Sequence, residues 1–150
     1  MRHAKFLLLL TVCCLAACRN NTVYLHFHPL PQDGWDKDSV LTYSFIADTS
    51  QTYDILLHIR HTDAYPYQNM WLFLNDKHDT IEFYMADGHG RWLSRRGNGH
   101  RTMPVLFEHR YRFPTDSCTL TIQHGMRQDR LKGISAIGVE ISKTPEDGKE

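Results

Sequence analysis

Tyr53-Asp54-Ile55-Leu56-Leu57-His58-Ile59-Arg60-His61 is the stretch on which the fold class turns. Tyr53, Ile55, Leu57 and Ile59 alternate with Asp54, Leu56, His58 and Arg60. A period of two belongs to a strand, because successive side chains of a strand leave opposite faces of the sheet. The β-branched and aromatic content of the apolar phase suits a pleated, half-buried surface. The nine residues therefore predict a strand with one face toward a core.

The same period recurs on both sides of this stretch. Val23, Leu25 and Phe27 alternate with Tyr24, His26 and His28. Leu41, Tyr43 and Phe45 form the apolar phase of the next segment. Met70, Leu72 and Leu74 share one face and Trp71 and Phe73 the other. Ile81, Phe83 and Met85 follow, then Val105, Phe107, His109, Tyr111 and Phe113, then Cys118, Leu120 and Ile122, and last Ile137, Val139 and Ile141. Turn-forming clusters separate them: Pro29 to Trp35, Asp48 to Thr52, Asp63 to Gln68, Asn75 to Asp79, Asp87 to Gly90, Arg95 to His100 and Pro114 to Ser117. About eight short strands without a long amphipathic helix predict an all-β, single-domain antiparallel β-sandwich, jelly-roll-like, over residues 22–142. One helical turn is expected, from Met126 to Lys132, stopped by Gly133. Residues 143–150 are charged with Pro and Gly, and are expected to form a flexible tail.

The N-terminus has a different grammar. Met1-Arg2-His3-Ala4-Lys5 is short and basic. Phe6 to Val12 is apolar apart from Thr11, and the run continues to Ala17, too short for a permanent membrane span. Leu15-Ala16-Ala17-Cys18 looks like a lipobox: small residues suit a peptidase cleft, and the cysteine sulfur carries the lipid. Residues 1–17 are thus expected to be a lipoprotein signal peptide, Cys18 the lipid attachment site, and residues 18–21 a lipidated tether. Two or three acyl chains, at about 0.8 kcal/mol per buried methylene, would hold the protein on a membrane. Of the four cysteines, Cys13 and Cys14 would leave with the signal and Cys18 would be acylated. Cys118 then has no disulfide partner, and its apolar phase predicts a buried, inert thiol. Basic and acidic residues number 17 each, and the leader removes two bases, Arg2 and Lys5. The mature chain lacks the basic excess of a nucleic-acid binder.

Chemical motifs are sparse. The ten histidines include His26 with His28 and His58 with His61, but no HExxH, CxxC or tight histidine cluster occurs, so no metal or other cofactor is expected. There is no Gly-x-Ser-x-Gly elbow and no phosphate-binding glycine loop, so the chain is not expected to be an enzyme. The aromatics Trp35, Tyr65, Tyr67 and Trp92 lie in or beside loops, with Arg60 and Arg127 as possible polar contacts. Together they are the candidate partner-binding residues. The equal alternative is that these aromatics close the open ends of the sandwich. A carbohydrate-binding module at the cell envelope is the second functional expectation, since jelly-roll sandwiches use loop aromatics to stack sugars.

Several segments together resemble one family. They are Gly34-Trp35 with Asp38-Ser39-Val40; Asp48; Tyr53 to His61; Tyr65-Pro66-Tyr67-Gln68-Asn69-Met70-Trp71-Leu72; Asp79-Thr80-Ile81; Ala86-Asp87 with Gly90-Arg91-Trp92; and Gln123-His124-Gly125-Met126-Arg127 leading to Leu131-Lys132-Gly133-Ile134 and Gly138-Val139. In this order, over roughly residues 24–142, the chain resembles the gliding-motility lipoprotein GldH family of Bacteroidota. The resemblance implies an outer-membrane lipoprotein of gliding motility, linked to the type IX secretion machinery, whose partners are the membrane and envelope proteins. It supplies no catalytic residues. Arg19 after the cysteine, and the absence of an acidic cluster there, lead us to expect a periplasm-facing anchor.

Overall fold

The computed structural model describes residues 21–97 and 99–145. The expected signal peptide, Cys18, and residues 146–150 of the expected tail lie outside the described residues. Eleven strands occur among the described residues: β1 (Thr22–Pro29), β2 (Trp35–Asp36), β3 (Leu41–Ile46), β4 (Tyr53–His61), β5 (Asn69–Leu74), β6 (Asp79–Tyr84), β7 (Arg95–Gly97), β8 (His100–Tyr111), β9 (Ser117–His124), β10 (Arg130–Leu131) and β11 (Ile134–Lys143). Eight are long. The other three, β2, β7 and β10, are two or three residues each.

Each long strand pairs antiparallel with its mirror in chain order. The first meets the last (β1 with β11), the second the seventh (β3 with β9), the third the sixth (β4 with β8) and the fourth the fifth (β5 with β6). The chain is one long hairpin folded over on itself, which is the jelly-roll path. Pairing of β11 with β4 and of β9 with β5 completes two sheets. The first sheet runs β1-β11-β4-β8-β7 and the second β3-β9-β5-β6.

The core follows the alternation. In β4, Tyr53, Ile55, Leu57 and Ile59 are buried, while Asp54, Leu56, His58 and Arg60 are half-exposed on the outer face. Leu41, Tyr43, Phe45, Met70, Leu72, Leu74, Leu120 and Ile122 of the second sheet face them, and Ile137, Val139 and Ile141 of the neighbouring β11 complete the core. Tyr43 donates its hydroxyl to the carbonyl of Ile137 at 2.8 Å, tying the second sheet to the first across the core. Cys118 is a buried free thiol, raised in pKa by burial.

Arg95–Gly97, expected within a turn, forms β7 against β8, and two further segments depart from the sequence expectation. In β1 Tyr24 and His28, not the aliphatics, face inward. Tyr24 lies 5.2 Å from Phe45, and His28 lies 4.8 Å from Tyr43, ring to ring. Val23 and Leu25 are 44% and 54% exposed. His28 also bonds the carbonyl of Thr42 at 3.0 Å, so this edge strand is held by aromatic edges and a polar contact that hydropathy does not score. Residues 126–132 are not helical: bends lead into β10, which pairs with β2 through Arg130 opposite Asp36 and Leu131 opposite Trp35. Burial of Trp35 and Leu131 outweighs the local helical preference.

The sandwich has two distinct ends. At one, the amide of Lys143 bonds Asn21, and Tyr53 pairs with Tyr111. This is the end at which β1 begins. At the other lie Pro29, His61, Asn69, Tyr84 and His124. The eight residues of β1, at about 3.3 Å each, separate the ends by about 25 Å.

Candidate functional site

The sequence-derived aromatic residues gather at the end far from the tether, but they divide into core and surface. Trp35 is fully buried, its indole N–H donating to the carbonyl of Ser39 at 3.1 Å and its ring 5.2 Å from His124. Tyr65 is 3% exposed and donates its hydroxyl to the carbonyl of Asn69 at 2.8 Å. Neither can meet a partner, so both leave the candidate surface. They close the open end of the sandwich because the sheets leave apolar edges there that water would otherwise reach. Trp92 is half-buried, 4.6 Å from the ring of His61. Arg60 projects from the outer face of the first sheet, away from the other candidates, with its guanidinium 3.8 Å above the Phe27 ring.

Gly133 makes this closure possible. It turns with φ +85°, and a Cβ on it would stand 2.3 Å from the nitrogen of Tyr65. Its carbonyl accepts the amide of Thr62 at 2.8 Å.

Tyr67 and Arg127 are brought together. With Asn69, Trp71, Gly125, Met126 and Gln128 they line a groove of about 460 Å³. The groove exists because residues 125–128 continue from β9 beside Trp71 of β5. Gly125 donates its amide to the carbonyl of Trp71 at 2.8 Å, and the amide of Trp71 points to the Met126 sulfur at 3.4 Å. A Cβ at Gly125 would come 3.1 Å from the Phe73 ring and 3.2 Å from Cβ of Trp71. Trp71 is 38% exposed. Asn69 donates to Glu82 at 2.6 Å. Arg127 is exposed and meets no carboxylate among the described residues.

Trp71 and Met126 are functional candidates that sequence reasoning passed over. A signal for Trp71 was present: it stands in the phase opposite Met70, Leu72 and Leu74, so a large aromatic ring had to face outward. Met126 and Gln128 carried no such signal, because their placement depends on the β2–β10 pairing.

The groove offers an aromatic wall, a polarizable thioether, two amides and a free guanidinium, a set suited to recognition. One activated-looking hydroxyl exists elsewhere. His61 Nδ1 lies 3.1 Å from the carbonyl of Thr62, which can only accept, so Nδ1 carries the proton and Nε2 accepts the Ser94 hydroxyl at 2.7 Å. Burial holds His61 below its ordinary pKa. A serine donating to a neutral imidazole can serve as a nucleophile, yet Ser94 is 7% exposed and His61 fully buried. The pair instead fixes Ser94, just before β7, to the end of β4. Among the described residues, no three His, Cys, Asp or Glu side chains converge as a metal site.

At the tether end a second depression, of about 430 Å³, opens between the sheets. Phe45, Ile55, Phe113 and Leu120 floor it, and Asp79 and Glu108 stand among its lining.

No solved structure matches the chain. The gliding motility lipoprotein GldH homolog of Christiangramia forsetii is 24% identical over 155 residues, covering 93% of this chain and 94% of that protein. The sequence profile of the GldH lipoprotein family matches residues 22–141, from the first strand to the last. The match spans both sheets and the groove between Tyr67 and Gln128, and the chain belongs to the GldH lipoprotein family.

Proposed function

We propose that this lipoprotein of the gliding-motility family is acylated at Cys18 and anchored in the outer membrane, facing the periplasm. There it acts as a non-enzymatic component of the gliding and type IX secretion machinery, through protein contacts made at the Tyr67–Trp71–Arg127 groove. The observation that carries the proposal is the groove itself, an exposed aromatic wall beside an uncompensated guanidinium at the end opposite the tether. Its volume accommodates one or two side chains of a partner, and an aliphatic or aromatic residue flanked by a carboxylate fits it best. Confinement by a lipid raises the effective concentration of a membrane-bound partner, so a modest interface suffices.

The test is co-purification from intact envelopes. Wild-type protein should retain gliding or secretion components that are lost from a Trp71→Ala, Arg127→Glu variant of unchanged melting temperature. Equal recovery of those components by the variant would remove the groove from the account.

A second reading, as an envelope carbohydrate-binding module, is favoured by one observation. Trp71 sits beside Asn69, Gln128 and Arg127, and a ring with planar polar neighbours suits a pyranose. A glycan array read with wild type and Trp71→Ala separates the two: binding that disappears in the variant supports the sugar, and absence of binding leaves the protein partner.

A further inference from the structure

The outer face of the second sheet shows water Thr42, Ser44, Thr80 and Thr119 together with Ile46, Trp71 and Tyr84. The outer face of the first sheet sets apolar rows beside arginines. One cross-sheet row reads Leu25, Glu140, Leu56, Leu106, and the next reads Phe27, Gly138, His58, Pro104. Leu25 and Leu106 are 54% and 57% exposed. Above them Arg60, Thr102 and Arg95 form a third row.

The charges on this face are arranged one-sidedly. Glu140 accepts from Thr22 at 2.9 Å and Ser142 at 3.0 Å, and is bonded to His58 at 2.7 Å. Asp54 accepts from the amide of Arg110 at 3.1 Å and from Thr144 at 2.9 Å, and is bonded to His109 at 2.9 Å. Both carboxylates are therefore satisfied by the protein and need no water. Neither Arg60 nor Arg95 meets a carboxylate among the described residues, and Arg60 Nε is buried without a partner. The face thus presents exposed leucines, internally neutralised acids and two guanidinium groups that meet no carboxylate among the described residues, Arg60 stacked on Phe27 and Arg95 exposed.

The tether says what covers it. Thr22 opens β1, the edge strand of this same sheet. Residues 18–21 reach at most about 14 Å when extended. An acylated Cys18 holds Thr22 within about 14 Å of the lipid attachment point and Leu25, three residues further along β1, within about 24 Å. Apolar side chains with flanking arginines are the chemistry of a surface that beds into anionic phospholipid.

We infer that the outer face of the first sheet lies on the membrane, with Leu25, Leu56 and Leu106 in the interface and Arg60 and Arg95 on lipid phosphates. This rests on the acylation of Cys18 proposed above. The groove at Trp71, on the outer face of the second sheet, then points away from the bilayer toward other envelope proteins.

The test uses the full acylated protein in vesicles of phosphatidylethanolamine and phosphatidylglycerol. Spin labels are placed through Leu25→Cys, Leu106→Cys and, on the opposite sheet, Ser44→Cys; buried Cys118 stays unlabelled. Collision with lipid-soluble oxygen should exceed collision with an aqueous nickel complex several-fold at Leu25 and Leu106, and the order should reverse at Ser44. Adding Arg60→Gln and Arg95→Gln should lower that preference at Leu106. Failure of the wild-type protein to float with the vesicles would overturn the anchor and the inference with it. Flotation with all three labels equally water-accessible would overturn the membrane-facing sheet alone.

Discussion

At Gly133 the backbone holds φ +85° and packs directly on the main chain of Tyr65. Replacement by Ala adds a strained dihedral and a collision with backbone that cannot move aside. Gly133→Ala should therefore cost about 2–3 kcal/mol in urea unfolding; an unchanged midpoint would mean that Tyr65 is not locked there. Two buried imidazoles set the pH behaviour. Burial holds His61 and His124 below their ordinary pKa. The unfolded chain then takes up protons first as pH falls below about 6.5, so the stabilisation is complete above that value and is lost on going down. Asp54 and Glu140 are desolvated, which raises their pKa, but their hydrogen bonds outweigh this and hold both low. Their contribution is present above about pH 4 and is lost below it. Unfolding followed by near-ultraviolet dichroism should show a first weakening from about pH 6.5 to 5 and a second below about pH 4. A flat profile down to pH 5 would contradict neutral, buried histidines. The phases of Tyr43, Tyr53 and Ile59 were legible from spacing alone. The burial of Trp35 and Tyr65 was not, because it depends on which loop closes which end.

At the scale of elements, β4 was legible because four of its five inward residues, all but His61, are apolar and it is paired on both sides. β1 misled, since its apolar phase faces out and its inward face is built from Tyr24, His26 and His28. Hydropathy counts carbon and nitrogen but not the fit of ring edges against Tyr43 and Phe45. Residues 126–132 misled for another reason: a strand of two residues depends on a partner nearly a hundred positions away. The groove formed by that segment makes a prediction about separability. Trp71 and Arg127 point out of the core, so Trp71→Ala and Arg127→Ala should each change unfolding free energy by no more than about 0.5–1 kcal/mol. Leu57→Ala, on the buried face of β4, should cost about 2–5 kcal/mol. If the groove variants melted as early as Leu57→Ala, the groove would be structure and not a recognition site.

For the whole molecule, the jelly-roll path places the tether and the groove at opposite ends and on opposite sheets. A single hairpin folded over requires its two termini to pair, as β1 and β11 do, so a chain anchored by its start is anchored at one end of the sandwich. The sandwich class was readable from periodicity; the location of the groove was not, because it is made by residues 67–71 and 125–128 meeting in space. Loss of the anchor should detach the whole protein: Cys18→Ala should move it from the membrane pellet to the soluble fraction with its fold intact, and retention in the pellet would show a second membrane attachment. The most direct test of an anchored protein that works through its groove is site-specific photo-crosslinking in intact envelopes, with the reactive amino acid at position 71 and, as control, at Ser44. The account predicts one discrete crosslinked product with a gliding or secretion component at position 71, absent at position 44 and lost with Cys18→Ala. Products of equal yield at both positions, or a product at 71 that survives Cys18→Ala unchanged, would contradict it.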